Sequence, residues 1–377
     1  MLKPRLGYGC YALGGAYGTK VEPTGAIKLI ETAYDLGIRF FDTADQYGSE
    51  EVLGRAVQSF RQQIAIATKV GAGPGGKGNL TRSHILTSCE ASLERLGTDY
   101  LDLYQVHYDD ASTPVADVVR TLELLKSQGK IRAYGIGHLP LTKTQEYLAL
   151  GNPKTVLAEF NAAAPARYRE ILPLQEQYEF GIIAFSITGR GLLTGKVSPS
   201  PQFSANDIRR LDPLFKRHKL ASGLRIMETL QEMGREIGAT PAQLAIAWVL
   251  NQKGITLALT GPTNPDHLRE NCSALNLHLE KACLAELDAF LRQEEETSRQ
   301  QIAQEVFSIL NTPVTQEDQG LADIVYILEH CIEAKLIPYT TGVQLFSALW
   351  REKKPRRQSL EIVRIQVRGL LKDGPML

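Results

Sequence analysis

From about residue 5 to residue 293 the chain alternates between short apolar runs and amphipathic segments, and this alternation narrows the folds open to it more than anything else. Eight of the runs read as strands: RLGYGC, IRFFDT, IAIATK, YLDLYQV, IRAYGIG, TVLAEF, GIIAFS and ITLALT. Several are almost continuously apolar, as parallel strands covered on both faces must be. Helical patterns lie between them. Over 24–36, Ile27, Ile30 and Tyr34 share a face and Gly37 follows. Over 83–96, Ile85, Cys89, Leu93 and Leu96 recur at helical spacing before Gly97, and over 114–128 Pro114 opens a stripe of Val118, Leu122 and Leu125 that Gly129 closes. Proline at the first turn and glycine past the last satisfy the geometry of helix ends. Thr240 and Gln243 form a capping box around Pro241, so AQLAIAWVL is predicted helical.

Strands alternating with helices in this number predict an α/β fold, a closed (β/α)8 TIM barrel, with a small helical C-terminal extension. An open doubly wound sheet is the competitor. It lacks its phosphate-binding signature here, because the glycines after the first strand, at 7, 9, 14 and 15, do not fit GxGxxG. The expected division is a barrel over 1–295 and a mostly helical extension over 296–377. Residues 294–312 read as a polar linker passing into a helix. Residues 321–336 carry an amphipathic stripe that includes Leu321, Ile324 and Leu328. VQLFSALW at 343–350 is an apolar patch, and 360–371 fits either a strand or a helix.

Composition removes several functional classes. Lys plus Arg (42) equals Asp plus Glu (42), so no whole-chain field draws in nucleic acid or an acidic membrane. The five cysteines are scattered without a CxxC or a Cys/His cluster, which predicts reduced thiols and no metal site. The first residues lack the apolar core of a signal peptide, and no apolar run approaches the roughly 18–20 residues of a membrane span. A cytoplasmic protein is the expectation.

Four residues carry the candidate chemistry. Asp42, Lys69 and His107 stand at the carboxyl ends of the second, third and fourth strands, and Tyr47 follows Asp42 in FDTADQYG. A barrel gathers strand ends at one mouth, so the topology predicts that they meet. Reducing a carbonyl needs a hydride at carbon, which no side chain donates and a nicotinamide can, and a proton at oxygen. A phenol holds its proton tightly, with an ordinary pKa of about 10. An adjacent ammonium stabilises the phenolate and lowers that value. The roles fit together: Tyr47 as the acid, Lys69 as its tuner, Asp42 orienting Lys69, and His107 polarising the carbonyl or relaying the proton.

The strings GYGCYALGG, FDTADQYGSEEVLGRA, IATKV, SLERLGTDYLDLYQVH, LLKSQGKIRAYGIG, IAFSITGRGLLTGK, TPAQLAIAWVL and TGPTNPDHLREN make the chain resemble the aldo-keto reductases, in family order over about residues 5–293. The resemblance implies a TIM barrel, NAD(P)H, and an Asp, Tyr, Lys and His tetrad falling on Asp42, Tyr47, Lys69 and His107. It also implies a dinucleotide laid across the barrel mouth. Phe185, Ser186, Ile187, Gly189 and Gly191 match the segment that stacks on nicotinamide and meets pyrophosphate, and Lys196 matches a phosphate-contacting lysine. Glu270 and Asn271 match the pair that holds adenine. Where the family often has Ser-Asn for the carboxamide, this chain has Gly137 and His138, and Leu157 stands where a Gln is usual, so Asn161 or His138 is the expected substitute. Gly261, Thr263 and His267 occupy places where Lys or Arg grips the 2′-phosphate of NADP. Without an Arg fork a phosphate loses charge-assisted bonds, so NADH is expected to be accepted. Tyr11 and Tyr108 match aromatic walls of a pocket for a small carbonyl or polyol substrate. Asp109 and Asp110 read as a solvated acidic loop.

Two other readings compete with the enzyme. One is a cofactor-loaded regulatory subunit like the potassium-channel beta subunits of this family. The other is a dehydratase or isomerase on the same fold. The extension has a basic run over 351–357 and is assigned no role; a lid, a homo-oligomer contact and a protein partner are all open to it.

Overall fold

The computed structural model describes residues 5–73, 78–137, 139–333 and 356–372, with positions 336, 337, 341, 342, 344, 345 and 349 between. The strands β1 (Leu6–Gly9), β2 (Phe40–Asp42), β3 (Ala65–Val70), β4 (Leu101–Val106), β5 (Ile131–Gly137), β6 (Thr155–Glu159), β7 (Gly181–Phe185) and β8 (Ile255–Thr260) pair in sequence order. The pairing is parallel throughout, and β8 returns to β1 through Leu6↔Ala258 to close the barrel. The predicted (β/α)8 architecture is therefore the observed one.

The helices in chain order are α1 (Pro23–Asp35), α2 (Glu50–Val57), α3 (Arg82–Leu96), α4 (Val115–Ser127), α5 (Leu141–Leu150), α6 (Ala166–Ile171), α7 (Arg217–Ile237), α8 (Pro241–Asn251) and α9 (Pro265–Ser273). The end signals act as their chemistry requires. Gly97 closes α3 with a left-handed φ of 61°, and its N–H caps the carbonyl of Glu94. At α8, Thr240 Oγ1 accepts from Gln243 N at 3.2 Å, while Gln243 Oε1 accepts from Thr240 N at 2.8 Å.

Phe40, Ala67, Leu103, Leu157, Ile183, Leu257 and Leu259 fill the barrel interior as one buried cluster. Full burial of each large member contributes about 1.5–3 kcal/mol. The interior is thus a solid plug, and nothing polar is asked of it until the carboxyl end.

The chain forms two compact units, residues 1–190 with 233–279 and residues 191–232 with 280–377. The second is built on α10 (Lys281–Asn311), α11 (Glu317–Glu333) and α12 (Arg357–Lys372). The division expected at 295/296 falls inside α10, and the stretch read as a polar linker is helix. Leu287, Leu291, Ile302, Val306 and Ile309 give it a buried stripe. The two polar residues that interrupt the stripe, Glu294 and Ser298, are buried as a pair. Arg225 Nη2 donates to Glu294 Oε1 at 2.6 Å, and Ser298 Oγ donates to the same oxygen at 2.9 Å. The ambiguous segment 360–371 belongs to α12, which buries Leu360, Val363 and Val367 at helical spacing. Most of VQLFSALW and of the basic run lie outside the described residues. No described helix is long and apolar enough to cross a membrane.

One close approach holds the outer helical wall of the barrel. Gly54 of α2 lies against the end of α3, where an added Cβ would stand 2.6 Å from the backbone carbon of Leu96. Backbone cannot yield as a side chain tip can. Gly54→Ala is expected to destabilise the barrel by about 1–3 kcal/mol, read as a lowered thermal midpoint with the native spectrum retained below it.

Candidate active site

Strand alternation decides which side chains reach the mouth. Asp42 stands two residues beyond Phe40, Lys69 two beyond Ala67, and Gln105 and His107 two and four beyond Leu103. Phe40, Ala67 and Leu103 all belong to the interior plug, so a period of two puts the four polar residues on the same inward face, nearer the carboxyl ends. Register brings them side by side, with Asp42 opposite Ala67 and Lys69 opposite Gln105.

All four are buried, with Lys69 and His107 each only 1% exposed. The Lys69 ammonium donates to Asp42 Oδ1 at 2.5 Å and to the Thr43 carbonyl at 2.7 Å. Asp42 Oδ2 accepts from Gln105 Nε2 at 3.1 Å. Burial pushes the Asp42 carboxyl above its ordinary range, against the opposing pull of Lys69 and Gln105.

Tyr47 reaches the cluster from the loop after β2. Its hydroxyl lies 3.3 Å from His107 Nε2, and the Lys69 ammonium sits over its ring, 4.8 Å from the centroid. Burial first, and then the negative charge of Asp42, hold the phenol well above its usual pKa. The expected downward pull of Lys69 does not govern this balance, because that ammonium is engaged by Asp42 and Thr43 and faces the ring. The loop is seated by Gly14: a Cβ there would overlap the Tyr47 carbonyl, so only glycine admits it.

The two proposed wall residues flank this centre. Tyr11 is 38% exposed, with its ring 4.7 Å from that of Tyr47. Tyr108 stacks on His107 at 4.2 Å between ring centroids. Asp109 and Asp110 part company. Asp110 is buried and ties its loop, accepting from Leu80 N at 2.8 Å, Ser112 Oγ at 2.6 Å and Thr113 Oγ1 at 2.6 Å. Those bonds bring its carboxyl down to about 2. It is a structural tie and not part of a solvated loop.

Several of the predicted dinucleotide residues lie at or just past other strand ends of the barrel. Phe185 ends β7, and a tight turn follows in which Ser186, Gly189, Arg190 and Gly191 take φ values of 59°, 59°, 53° and 94°. Ile187 is buried between them. Successive left-handed residues turn backbone N–H groups into a concavity suited to phosphate. Ser186 Oγ is buried with no hydrogen-bond partner among the described residues, as a seat for a polar group would leave it. Asn161 is committed elsewhere: its Nδ2 donates to the Ser186 carbonyl at 3.0 Å and its Oδ1 accepts from Ala163 N at 2.9 Å. Gly137 ends β5, where an added Cβ would stand 2.9 Å from Leu157 Cβ. His138 lies outside the described residues. Gly261 and Thr263 are in the turn after β8, and His267, Glu270 and Asn271 are on α9. Asn271 is buried, with Nδ2 donating to Thr260 Oγ1 at 2.8 Å. Lys196 is exposed and belongs, with Gly191, to the second unit. No cluster of metal-binding side chains occurs among the described residues.

Sequence reading missed Gln105, Gln46 and Gly14. Gln105 was legible, because it precedes His107 by two on one strand. Gln46 lies in a turn and Gly14 ends a short 3-10 helix, where no periodicity marks them.

A polar cluster with a phenol, above an apolar plug and at the carboxyl mouth of a parallel barrel, defines a class of barrel enzymes. Comparison with known proteins narrows the class. The model of the aldo/keto reductase family matches residues 5–292, and the chain belongs to that family. It is similar to an NADH-specific methylglyoxal reductase of Escherichia coli (strain K12), with 32% identity over 74% of this chain and 91% of that one. Among solved structures it resembles the glycerol dehydrogenase of Gluconobacter oxydans, with a TM-score of 0.70 and 28% identity over 77% of this chain and 92% of that one. An aldo/keto reductase of Klebsiella pneumoniae, in complex with NADP and acetate, gives a TM-score of 0.61 and 26% identity over 76% and 91%.

The Asp42–Lys69 pair makes a stability prediction. Removing one partner of a buried ion pair leaves an uncompensated charge, so Asp42→Ala is expected to cost about 3–5 kcal/mol in denaturant titration. An apolar pair, Asp42→Leu with Lys69→Met, is expected to recover most of that loss. A double variant no more stable than the single would show that the pair holds the fold.

Proposed function

We propose that this chain is an NAD(P)(H)-dependent oxidoreductase that interconverts small carbonyls and alcohols, with Tyr47 as general acid and base. The observation that carries the reading is the Tyr47 hydroxyl 3.3 Å from His107 Nε2, beside the buried Lys69 ammonium, at the barrel's open mouth. A bound nicotinamide supplies the hydride that no side chain can. Tyr47 supplies the proton to the carbonyl oxygen, and the Lys69 ammonium and the His107 ring nitrogen beside it stabilise the charge left on the phenol. Asp42 and Gln105 hold Lys69 in place, while Tyr11 and Tyr108 wall the substrate. Burial and the negative charge of Asp42 favour the neutral phenol, the form that has a proton to give.

The turn from Ser186 to Gly191, with its left-handed backbone and the orphan Ser186 hydroxyl, suits the dinucleotide's phosphates. Gly137 makes room for the Leu157 side chain at the β5 end, and Asn161 braces Ser186. The same reading assigns adenine to Glu270 and Asn271, both on α9. A regulatory subunit without turnover would leave the Tyr47–His107–Lys69 cluster without a task.

Tyr47→Phe is expected to lower kcat on a panel of small aldehydes and ketones by on the order of 10²–10⁴-fold, with dinucleotide affinity retained. Full activity in that variant would remove Tyr47 from the chemistry. No turnover by the wild type, together with tight dinucleotide binding, would favour the regulatory reading.

Residues 261–267, GPTNPDH, contain no Lys or Arg to grip a 2′-phosphate. The reading therefore includes use of NADH at least as efficient as that of NADPH. The measurement is kcat/KM with each cofactor, and a preference for NADPH on the order of a hundredfold would overturn it.

A further inference from the structure

His107 meets Tyr47 through one nitrogen and Gln46 through the other. Gln46 Nε2 lies 3.2 Å from His107 Nδ1 and donates to the Tyr108 hydroxyl at 2.9 Å. A carboxamide nitrogen carries two hydrogens, so one amide serves both partners at once. The stack of Tyr108 on the imidazole, at 4.2 Å and 25° between planes, fixes the ring that presents Nδ1 to that amide.

We infer that Gln46 is a positioning residue that sets the tautomer of His107 and so aims the proton of Tyr47. This rests on the proposed role of Tyr47. The bond made by one ring nitrogen decides which nitrogen carries hydrogen. With Gln46 donating to Nδ1, a neutral imidazole carries its hydrogen on Nε2. Nε2 then donates and the Tyr47 oxygen accepts across their 3.3 Å separation. The Tyr47 hydrogen is left pointing elsewhere, free for a carbonyl oxygen. In the opposite tautomer Nε2 is a lone pair, the phenol donates to it, and the proton is turned away from substrate. After transfer to the substrate oxygen, the same Nε2–H stabilises the phenolate until water returns a proton to it. An amide in the reverse orientation would accept from Nδ1 and reverse the whole arrangement, which makes the inference directly measurable.

The test is ¹⁵N NMR of the histidine rings in the full chain without cofactor, with the His107 signals assigned as those lost in His107→Gln. Wild type is expected to show hydrogen on Nε2 and an unprotonated Nδ1. Gln46→Glu replaces the donor with an acceptor and is expected to put hydrogen on Nδ1. Gln46→Met, with no polar atom to offer, is expected to give a mixture. In turnover, Gln46→Glu is expected to lower kcat by about tenfold or more, with KM changed less than about threefold and a new titration near neutrality in the pH profile. Hydrogen on Nδ1 in the wild type, or a spectrum unmoved by Gln46→Glu, would overturn the assignment. A moved spectrum with unchanged kcat would overturn the aiming role. Since the spectra need neither cofactor nor substrate, a failure of Tyr47 as the acid would appear in Tyr47→Phe kinetics and leave the tautomer result standing.

Discussion

An ammonium with 1% of its surface exposed is the constraint around which the mouth of this barrel is arranged. A lysine taken this far from water is tolerated only if every direction it faces offers a negative or polar partner. Asp42 supplies the charge and the Thr43 carbonyl a second acceptor, while the third side meets the face of Tyr47. Asp42 then needs its own remaining oxygen satisfied, and Gln105 does that from the next strand but one. None of this contributes much to stability, since apolar side chains of similar volume pack as well and cost no desolvation. The interior plug just below shows that this chain fills such positions with Phe, Leu and Ile where nothing else is required. The polar layer is therefore best explained by chemistry at the mouth.

The same burial changes what Tyr47 is ready to do. A tuning cation lowers a phenol's pKa only if its field outweighs desolvation and the field of its own counter-ion. Here Asp42 neutralises Lys69 at close range, and the low-dielectric surroundings penalise the phenolate. The result is a phenol whose neutral form is favoured. For the proposed role of Tyr47, donors placed where charge would develop matter more than a weakened O–H bond.

How much of this was legible in the sequence depended on periodicity. Strand ends are marked by apolar runs that stop, so Asp42, Lys69 and His107 were found, and Gln105 was readable from the same alternation. Helix ends were marked by glycine and proline chemistry, and α1, α3 and α4 begin and end within a residue of the expected positions. Turns carry no period. The amide of Gln46 and the clearance at Gly14 act through geometry that only the folded loop creates. The helical part of the reading of 294–312 holds and its linker part does not, for another reason. Glu294 and Ser298 look solvated one at a time, yet each occupies a buried helical position, made tolerable by Arg225 from a segment some seventy residues away. Partners that distant in sequence leave no local signal. Asp110 misled in the same way, because its hydrogen-bond donors come partly from Leu80 on another loop.

The turn after β7 shows the opposite arrangement, in which local strain is visible and distant residues hold it. Ser186 and Arg190 both carry side chains in the left-handed region, where each residue costs of order 1–3 kcal/mol unless its surroundings over-determine it. For Ser186 the constraint is Asn161, whose side chain clamps the Ser186 carbonyl from β6, together with the turn bond from Gly189 N at 2.7 Å. For Arg190 it is the ion pair to Glu159 at 2.8 Å, again from the end of β6. Two residues at one strand end, that of β6, thus hold the turn in a conformation it would not adopt alone. A loop that only had to connect β7 to the next helix would relax. One that must present its N–H groups at fixed positions gains from being held before any ligand arrives, because no ordering cost then falls on binding. Asn161 is accordingly the brace of this turn.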